Sequence, residues 1–212
     1  MQRTSLYHGG MDLFDPDDRA ADALTPIPIE DGYLAFQQRL ALDLSPEAVF
    51  RRLREETDWR AEQIQVWGKL HMQPRLSAWH GEARYRYSGK TFDPQPFTPL
   101  QLHIKQAVER ATGYRYNSVL LNYYRDERDS MGFHADDERE LGSEPAIASV
   151  SFGAARTFIL KHRTVPRTIK LALGDGCLLL MAGALQQHWT HGINKQRTPL
   201  GPRINLTFRL IV

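Results

Sequence analysis

Long apolar runs are missing from this 212-residue chain. None approaches the roughly 18–20 residues that a membrane-spanning helix needs, so no membrane partner is expected. The first residues, MQRTSLYHGGMDLFDPDD, carry acids where a signal peptide requires an apolar centre, and a soluble cytoplasmic protein is the expectation. Cysteine is nearly absent as well. The single Cys177 excludes an internal disulfide and any zinc site built on cysteine pairs, and its setting, CLLLM, reads as a buried strand. A hydrophobic share of 42% and a charged share of 25% are ordinary globular usage, which excludes wholesale disorder, collagen-like repeats and a coiled coil. The length suits one domain with a real core better than two.

Acid is scarce towards the C-terminus. From Arg156 onward nine bases face one acid, Asp175, whereas residues 1–31 carry seven acids and two bases. The net charge of +2 therefore conceals a body, residues 32–212, with eighteen acids and twenty-five bases. A basic body suits a polyanionic partner such as nucleic acid, although basic faces also occur on proteins that bind none.

Residues 1–31, rich in Asp and Pro and without sustained periodicity, read as a flexible acidic arm, with a single domain over 32–212 beginning near Tyr33. Ser45-Pro46 followed by Val49, Phe50 and Leu53 predicts a capped helix running to about Glu56. Thr98-Pro99 with Leu100, Ile104, Ala107, Val108 and Ala111 predicts a second helix that Gly113 stops. From Tyr116 the segments turn short, apolar or alternating: NSVLLNYY, MGFHADD, IASVSFG, RTFILKH, TIKLAL, GCLLLMAG, QHWTH and RINLTFRLIV. That succession predicts an α+β domain whose antiparallel sheet rolls into a barrel or sandwich.

Side chains two apart on a strand share a face, so His134 and Asp136 in GFHADDE can present an imidazole and a carboxylate to one point. A third ligand would come from a distant strand, with His188 and His191 of QQHWTHGIN as candidates. Two histidines and one carboxylate on one face of an ion leave positions open, as in non-haem Fe(II) oxygenases. A solvated pair in a charged loop is the bland alternative for His134 and Asp136. The last strand adds weight, because Arg203, Asn205, Thr207 and Arg209 alternate with Ile204, Leu206, Phe208 and Leu210. On an exposed strand the arginines would meet water; turned into a barrel they would be costly without an anionic ligand. Asn122 and Tyr124 share a face in NSVLLNYY and can join the same pocket. A dicarboxylate beside a metal would satisfy this set.

The stretch from LLNYYRDERDSMGFHADDERELGSEPAIASVSFGAARTF through HWTHGIN to GPRINLTFRLI resembles the AlkB family of Fe(II)- and 2-oxoglutarate-dependent nucleic-acid dealkylases, over roughly residues 60–212. The resemblance implies a double-stranded β-helix (jelly-roll, cupin-like) core with flanking helices. It makes His134, Asp136 and His191 the catalytic iron ligands, His191 being favoured over His188 by its place in WTHGI. It assigns Arg203 to the distal carboxylate of 2-oxoglutarate, Arg209 to the metal-bound end, and Asn122, Tyr124 and Asn205 to the rest of the cosubstrate pocket. Fe(II), 2-oxoglutarate and O2 are the implied cofactor and cosubstrates. The implied reaction is oxidative demethylation of N-alkylated bases such as 1-methyladenine and 3-methylcytosine in DNA, releasing formaldehyde, succinate and CO2.

Residues 60–97 resemble the nucleotide-recognition hairpin region of the duplex-DNA type. Trp67 matches an aromatic wedge that holds a base out of the stack; packing within a hairpin is its plain alternative. Tyr85, Tyr87 and Ser88 match the base-pocket wall. Asp137 and Glu138 would face the polar edge of the base, where a carboxylate favours a cationic methylated ring. Arg75, Arg84, Arg86 and Lys90 are candidates for phosphate contacts. Alkylated DNA, duplex before single strand, is the expected partner of a monomer in the cytoplasm or at the nucleoid. The alternatives are the same oxygenase chemistry on RNA or protein, and a non-catalytic nucleic-acid-binding module.

Overall fold

The computed structural model describes residues 23–212 except 67, 68, 83, 84, 88, 89 and 93, and describes 64–66, 69–70, 85–87 and 90–92 for the backbone alone. Two short strands, β1 (Thr25–Ile27) and β2 (Tyr33–Gln37), come first and pair with each other. Helix α1 (Pro46–Glu56) starts where the sequence signals it: Ser45 accepts a hydrogen bond from Ala48 N at 3.2 Å, and proline occupies the first helical turn, where its missing N–H costs nothing. Strands β3 (Arg60–Val66) and β4 (Lys69–Gly81) form an antiparallel hairpin, followed by the small ribbon β5 (Tyr85–Tyr87) and β6 (Lys90–Phe92). Helix α2 (Pro99–Thr112) opens with a reciprocal capping box between Thr98 and Gln101 and closes on Gly113, whose φ of 77° only glycine adopts cheaply.

The remaining elements are β7 (Ser118–Tyr124), β8 (Met131–His134), β9 (Ile147–Gly153), β10 (Arg156–His162), β11 (Thr168–Leu173), β12 (Leu178–Ala182), the single turn α3 (Leu185–His188), β13 (Trp189–Ile193) and β14 (Arg203–Arg209). Eight strands make one sheet in the order β1, β2, β12, β9, β14, β7, β4, β3, and four make a second in the order β11, β10, β13, β8. All pairings within both sheets are antiparallel. Two sheets enclosing a common interior, with helices packed outside the larger one, give the expected jelly roll.

Period-2 alternation sorts β14 between two environments. Ile204, Leu206 and Phe208 enter an apolar core with Val49 and Leu53 of α1 and Ile104 and Val108 of α2. The opposite face of β14 turns to the space between the sheets. A second apolar cluster, including Leu34, Leu160, Leu173, Leu179 and Trp189, closes the far side of that space. Gly153, the last residue of SFG, has φ +89°, and a Cβ there would meet Pro202 O at 2.5 Å, so the close return of the chain to β14 requires glycine.

The folded body begins earlier than the composition suggested. Besides the β1–β2 pairing, Trp189 Nε1 donates to Glu30 O at 2.9 Å and Arg167 ion-pairs with Glu30, so residues 25–31 pack on the sheets instead of belonging to an arm. The β3–β4 hairpin is continuous with the core, because β4 pairs with β7 from Leu76 opposite Tyr123 to Gly81 opposite Ser118. Among the described residues no helix is long and apolar enough to cross a membrane.

Candidate functional site

Strand register decides which polar side chains meet. In the larger sheet Arg203 lies opposite Tyr124 and Asn205 opposite Asn122, while on the other flank of β14 Asn205 faces Ser151 and Thr207 faces Ser149. In the smaller sheet His191 lies opposite His134. One cavity between the sheets is lined by Asn122, Tyr124, Arg203, Asn205 and Arg209 from one side and by His134, Asp136 and His191 from the other. The polar face of the last strand is thus turned inward, and all seven residues of β14 are buried.

The three expected metal ligands converge. Their ligand-type atoms all lie within 4.8 Å of one another, with His134 Nε2 at 3.9 Å from Asp136 Oδ1 and His191 Nε2 at 3.9 Å from Asp136 Oδ2. His134 Nδ1 donates to Gly132 O at 2.9 Å, which leaves the Nε2 lone pair facing the cavity. Asp136 is held from two sides: its N–H donates to Gln186 Oε1 at 3.0 Å, and its Oδ1 accepts from Arg209 Nη2 at 2.7 Å. Its second oxygen, Oδ2, is buried with no hydrogen-bond partner among the described residues. Burial alone would raise this carboxyl, but the Arg209 guanidinium and the two imidazoles outweigh it and hold it at about 2. Burial, reinforced by His134, pushes His191 down to about 3 against the opposing pull of Asp136. A carboxylate and neutral imidazoles are the forms that ligate a divalent cation, so the donor set fits iron.

The neighbouring half of the cavity fits an anion. Arg203 is 1% exposed; its Nη2 donates to Ser151 Oγ at 2.8 Å and its Cζ stands 5.1 Å from the Tyr124 ring centroid, yet Nε and Nη1 have no acceptor among the described residues. A buried guanidinium with two idle donor nitrogens is costly until a carboxylate pairs with it. Asn205 is fixed by Ser149 Oγ at 2.8 Å and Val150 O at 3.0 Å. The dicarboxylate expected beside the metal has a matching site.

A second group, Asp31, His162 and His188, also brings ligand-type atoms within 4.8 Å. There His162 Nδ1 accepts from the backbone N–H groups of Thr164 and Val165, both at 3.2 Å, so its proton sits on Nε2 and is donated to Asp31 Oδ2 at 3.1 Å. With both ring nitrogens engaged, His162 offers no lone pair to a metal. His188 stacks on this ring, with centroids 6.0 Å apart, and stands outside the iron set.

Other expected residues fall differently. Arg75 is corrected: it is 4% exposed, and its Nε donates to Asn122 Oδ1 at 2.7 Å, so it backs the wall of the cavity that Asn122 lines and cannot lie along a phosphate backbone. Asp137 is exposed and ion-pairs with Arg163 at 2.7 Å, and neither it nor Glu138 lines the cavity. Tyr85, Arg86, Tyr87 and Lys90 fall on the β5–β6 ribbon, where Tyr87 is paired with Lys90 in the backbone register. Trp67, Arg84 and Ser88 lie outside the described residues. Sequence reasoning missed Ser149, Ser151 and Gln186. The alternation of SVS against the polar face of β14 is a usable signal for the two serines; Gln186, in a turn between strands, has none.

Comparison with known proteins agrees with this geometry. The model of the 2OG-Fe(II) oxygenase superfamily matches residues 41–209. Alpha-ketoglutarate-dependent dioxygenase alkB homolog 3 of Mus musculus is 42% identical over 178 residues, covering 74% of this chain and 62% of that protein. DNA oxidative demethylase ALKBH2 of Homo sapiens is 38% identical over 179 residues, covering 78% and 69% respectively. The chain spans about three fifths of the length of the alkB homolog 3 proteins it matches. The solved structure of OsALKBH1 shares the fold, with a TM-score of 0.62 at 16% identity over 87% of this chain and 99% of that one. With the superfamily model spanning most of the sequence and these relatives sharing about two residues in five, the chain belongs to the AlkB family of 2OG-Fe(II) oxygenases.

Proposed function

We propose that the chain is an Fe(II)- and 2-oxoglutarate-dependent demethylase of N-alkylated bases in DNA, with 1-methyladenine and 3-methylcytosine as substrates. One observation carries the reading: a convergent His134, Asp136 and His191 set shares a buried cavity with Arg203, whose Nε and Nη1 lack acceptors among the described residues. The relatives named DNA oxidative demethylase support the choice of DNA.

In this reading His134, Asp136 and His191 hold Fe(II), and Arg203, Asn122, Tyr124 and Asn205 hold 2-oxoglutarate. Iron with this cosubstrate and O2 supplies an oxidant that hydroxylates the N-alkyl carbon, which leaves as formaldehyde while the cosubstrate ends as succinate and CO2. The residues of the chain bind, orient and exclude water. Arg203 pairs with the far carboxylate of the cosubstrate and thereby sets its reach towards the metal ligands. Arg209 keeps Asp136 ionised and fixes one of its oxygens, leaving the other for the metal. Phe158, stacked on His191 at 5.2 Å, shields that ring from solvent. The base is received from the side of the β3–β6 region, with Tyr85 and Tyr87 as stacking candidates and Trp67 as the wedge that favours duplex DNA.

Formaldehyde and succinate release from the anaerobically reconstituted Fe(II) protein, with 2-oxoglutarate and O2, tests this on matched methylated duplex and single-stranded oligonucleotides. Turnover that disappears in Asp136→Ala and is faster on duplex is the expected result. Turnover restricted to methylated RNA would replace the substrate, and cosubstrate binding without any nucleic-acid turnover would remove the demethylase reading.

A further inference from the structure

The carboxylate ligand sits just past the end of a strand. β8 stops at His134, so Asp136 has no ladder partner for its backbone N–H, although the residue is 1% exposed. A buried N–H without an acceptor is costly, and here the acceptor is the side chain of Gln186, fifty residues away, at 3.0 Å. Gln186 is itself 1% exposed and belongs to α3, the turn that leads directly into β13 and His191. Its amide orientation is fixed by chemistry: only the oxygen can accept from Asp136 N, and the nitrogen is left with Met181 Sδ at 3.8 Å, a weak acceptor. Burying an amide on so poor a second contact is expensive in a turn where its neighbour Leu185 is fully buried and apolar. Packing gives no reason for glutamine at this position, whereas the Asp136 N–H does.

We propose that Gln186 is a positioning residue for the metal centre, tying the loop that carries Asp136 to the turn that carries His191 so that the ligand atoms converge before the ion arrives. Arg209 fixes the Asp136 side chain through Oδ1, Gln186 fixes its backbone, and Oδ2 is thereby aimed at the space shared with His191. The proposal rests on the metal reading above and adds to it the part of the chain that preorganises the site.

Co(II) titration of the metal-free full chain, followed by the ligand-field absorption of the bound ion, tests it. Gln186→Met keeps length and volume but removes the acceptor, and is expected to weaken Co(II) binding by at least about tenfold and to change the absorption band, as loss of a partner that orients a ligand does. Gln186→Glu restores an acceptor oxygen at the same reach and is expected to stay within about threefold of the wild type. Leu185→Ala, which removes packing from the same turn, is expected to lower the melting temperature while leaving the Co(II) Kd unmoved. Unchanged Kd and spectrum in Gln186→Met, or an equal loss in Leu185→Ala, overturns the proposal and leaves the metal reading standing. A wild type that binds no Co(II) ends both. Fast exchange of the Asp136 amide in the folded, metal-free wild type overturns the proposal without any variant.

Discussion

Arg75 Nε donates to Asn122 Oδ1 at 2.7 Å, across forty-seven residues of sequence. Because the Asn122 oxygen is taken by this bond, its two amide N–H donors are the groups left to face the cavity that Asn122 lines. A guanidinium read from sequence as a phosphate contact thus sets the polarity of that cavity's wall, and its Nη1 reaches Ser130 O at 3.4 Å at the approach to β8.

Arg75→Leu is therefore expected to act on 2-oxoglutarate, not on DNA. The KM for 2-oxoglutarate should rise by about tenfold, the scale of a lost charge-assisted hydrogen bond that leaves a buried acceptor unpaired. The slope of log K for DNA against log salt should not move, whereas losing a phosphate contact lowers it by about 1. A changed salt slope with unchanged cosubstrate KM would return Arg75 to the DNA surface.

Arg203 gives a sharper test, since its geometry and its charge can be separated. Arg203→Lys keeps a cation at a buried position but cannot offer two parallel N–H groups, so the KM for 2-oxoglutarate should rise by at least about tenfold with the fold intact. Ser151→Ala removes the hydroxyl that takes Arg203 Nη2 and should cost less, since the guanidinium keeps its other donors. Equal kinetics in wild type and Arg203→Lys would place the cosubstrate carboxylate elsewhere.

His80 ties β4 to the segment before α2 and makes stability pH-dependent. It is 3% exposed, its Nδ1 donates to Pro96 O at 2.9 Å, and its Nε2 is buried without a partner among the described residues. Burial pushes its pKa down, against the weaker upward pulls of the Pro96 carbonyl and Asp58. The unfolded imidazole takes up a proton as pH falls through about 6.5 while the native one resists, so the unfolded state binds more protons in that window and stability falls with pH. The melting temperature of the wild type should drop on going from neutral pH to below that window, and His80→Asn should flatten the drop. Parallel curves for the two proteins would remove His80 as the cause.

The sheet and the two main helices were legible because their signals are local: caps at Ser45 and Thr98, a stop at Gly113, and strict alternation in RINLTFR. The metal triad was legible only in part from spacing, since His134 and Asp136 lie two apart, while His188 and His191 both qualified. Spacing does not choose between them; the fold does, by placing His191 Nε2 at 3.9 Å from Asp136 Oδ2 and stacking His188 on the His162 ring. Arg75 misled because β4, which looks like an exposed hairpin strand, pairs with β7 at its inner end and so carries its one arginine indoors. Thr25–Ile27 misled because a strand of three residues is made by its partner β2, with no periodicity of its own to announce it. Gln186 was invisible because its role is defined by a single N–H fifty residues away.

Strands β3 and β4 pair with Val66 opposite Lys69, so Trp67 is one of the two residues joining them, although it lies outside the described residues. The inner end of this hairpin pairs with β7, and the wedge proposed for Trp67 has a signature that separates it from packing. Stacking of an aromatic on a base is worth about 1–3 kcal/mol by alanine substitution, so Trp67→Ala should slow turnover on methylated duplex by roughly tenfold or more. Single strands present no stack to hold open, and their turnover should change by less than about threefold. The melting temperature serves as the control, because a tryptophan that merely packs the hairpin would lower it and reduce both activities together. Equal losses on duplex and single strand would leave the oxygenase reading intact and remove the wedge.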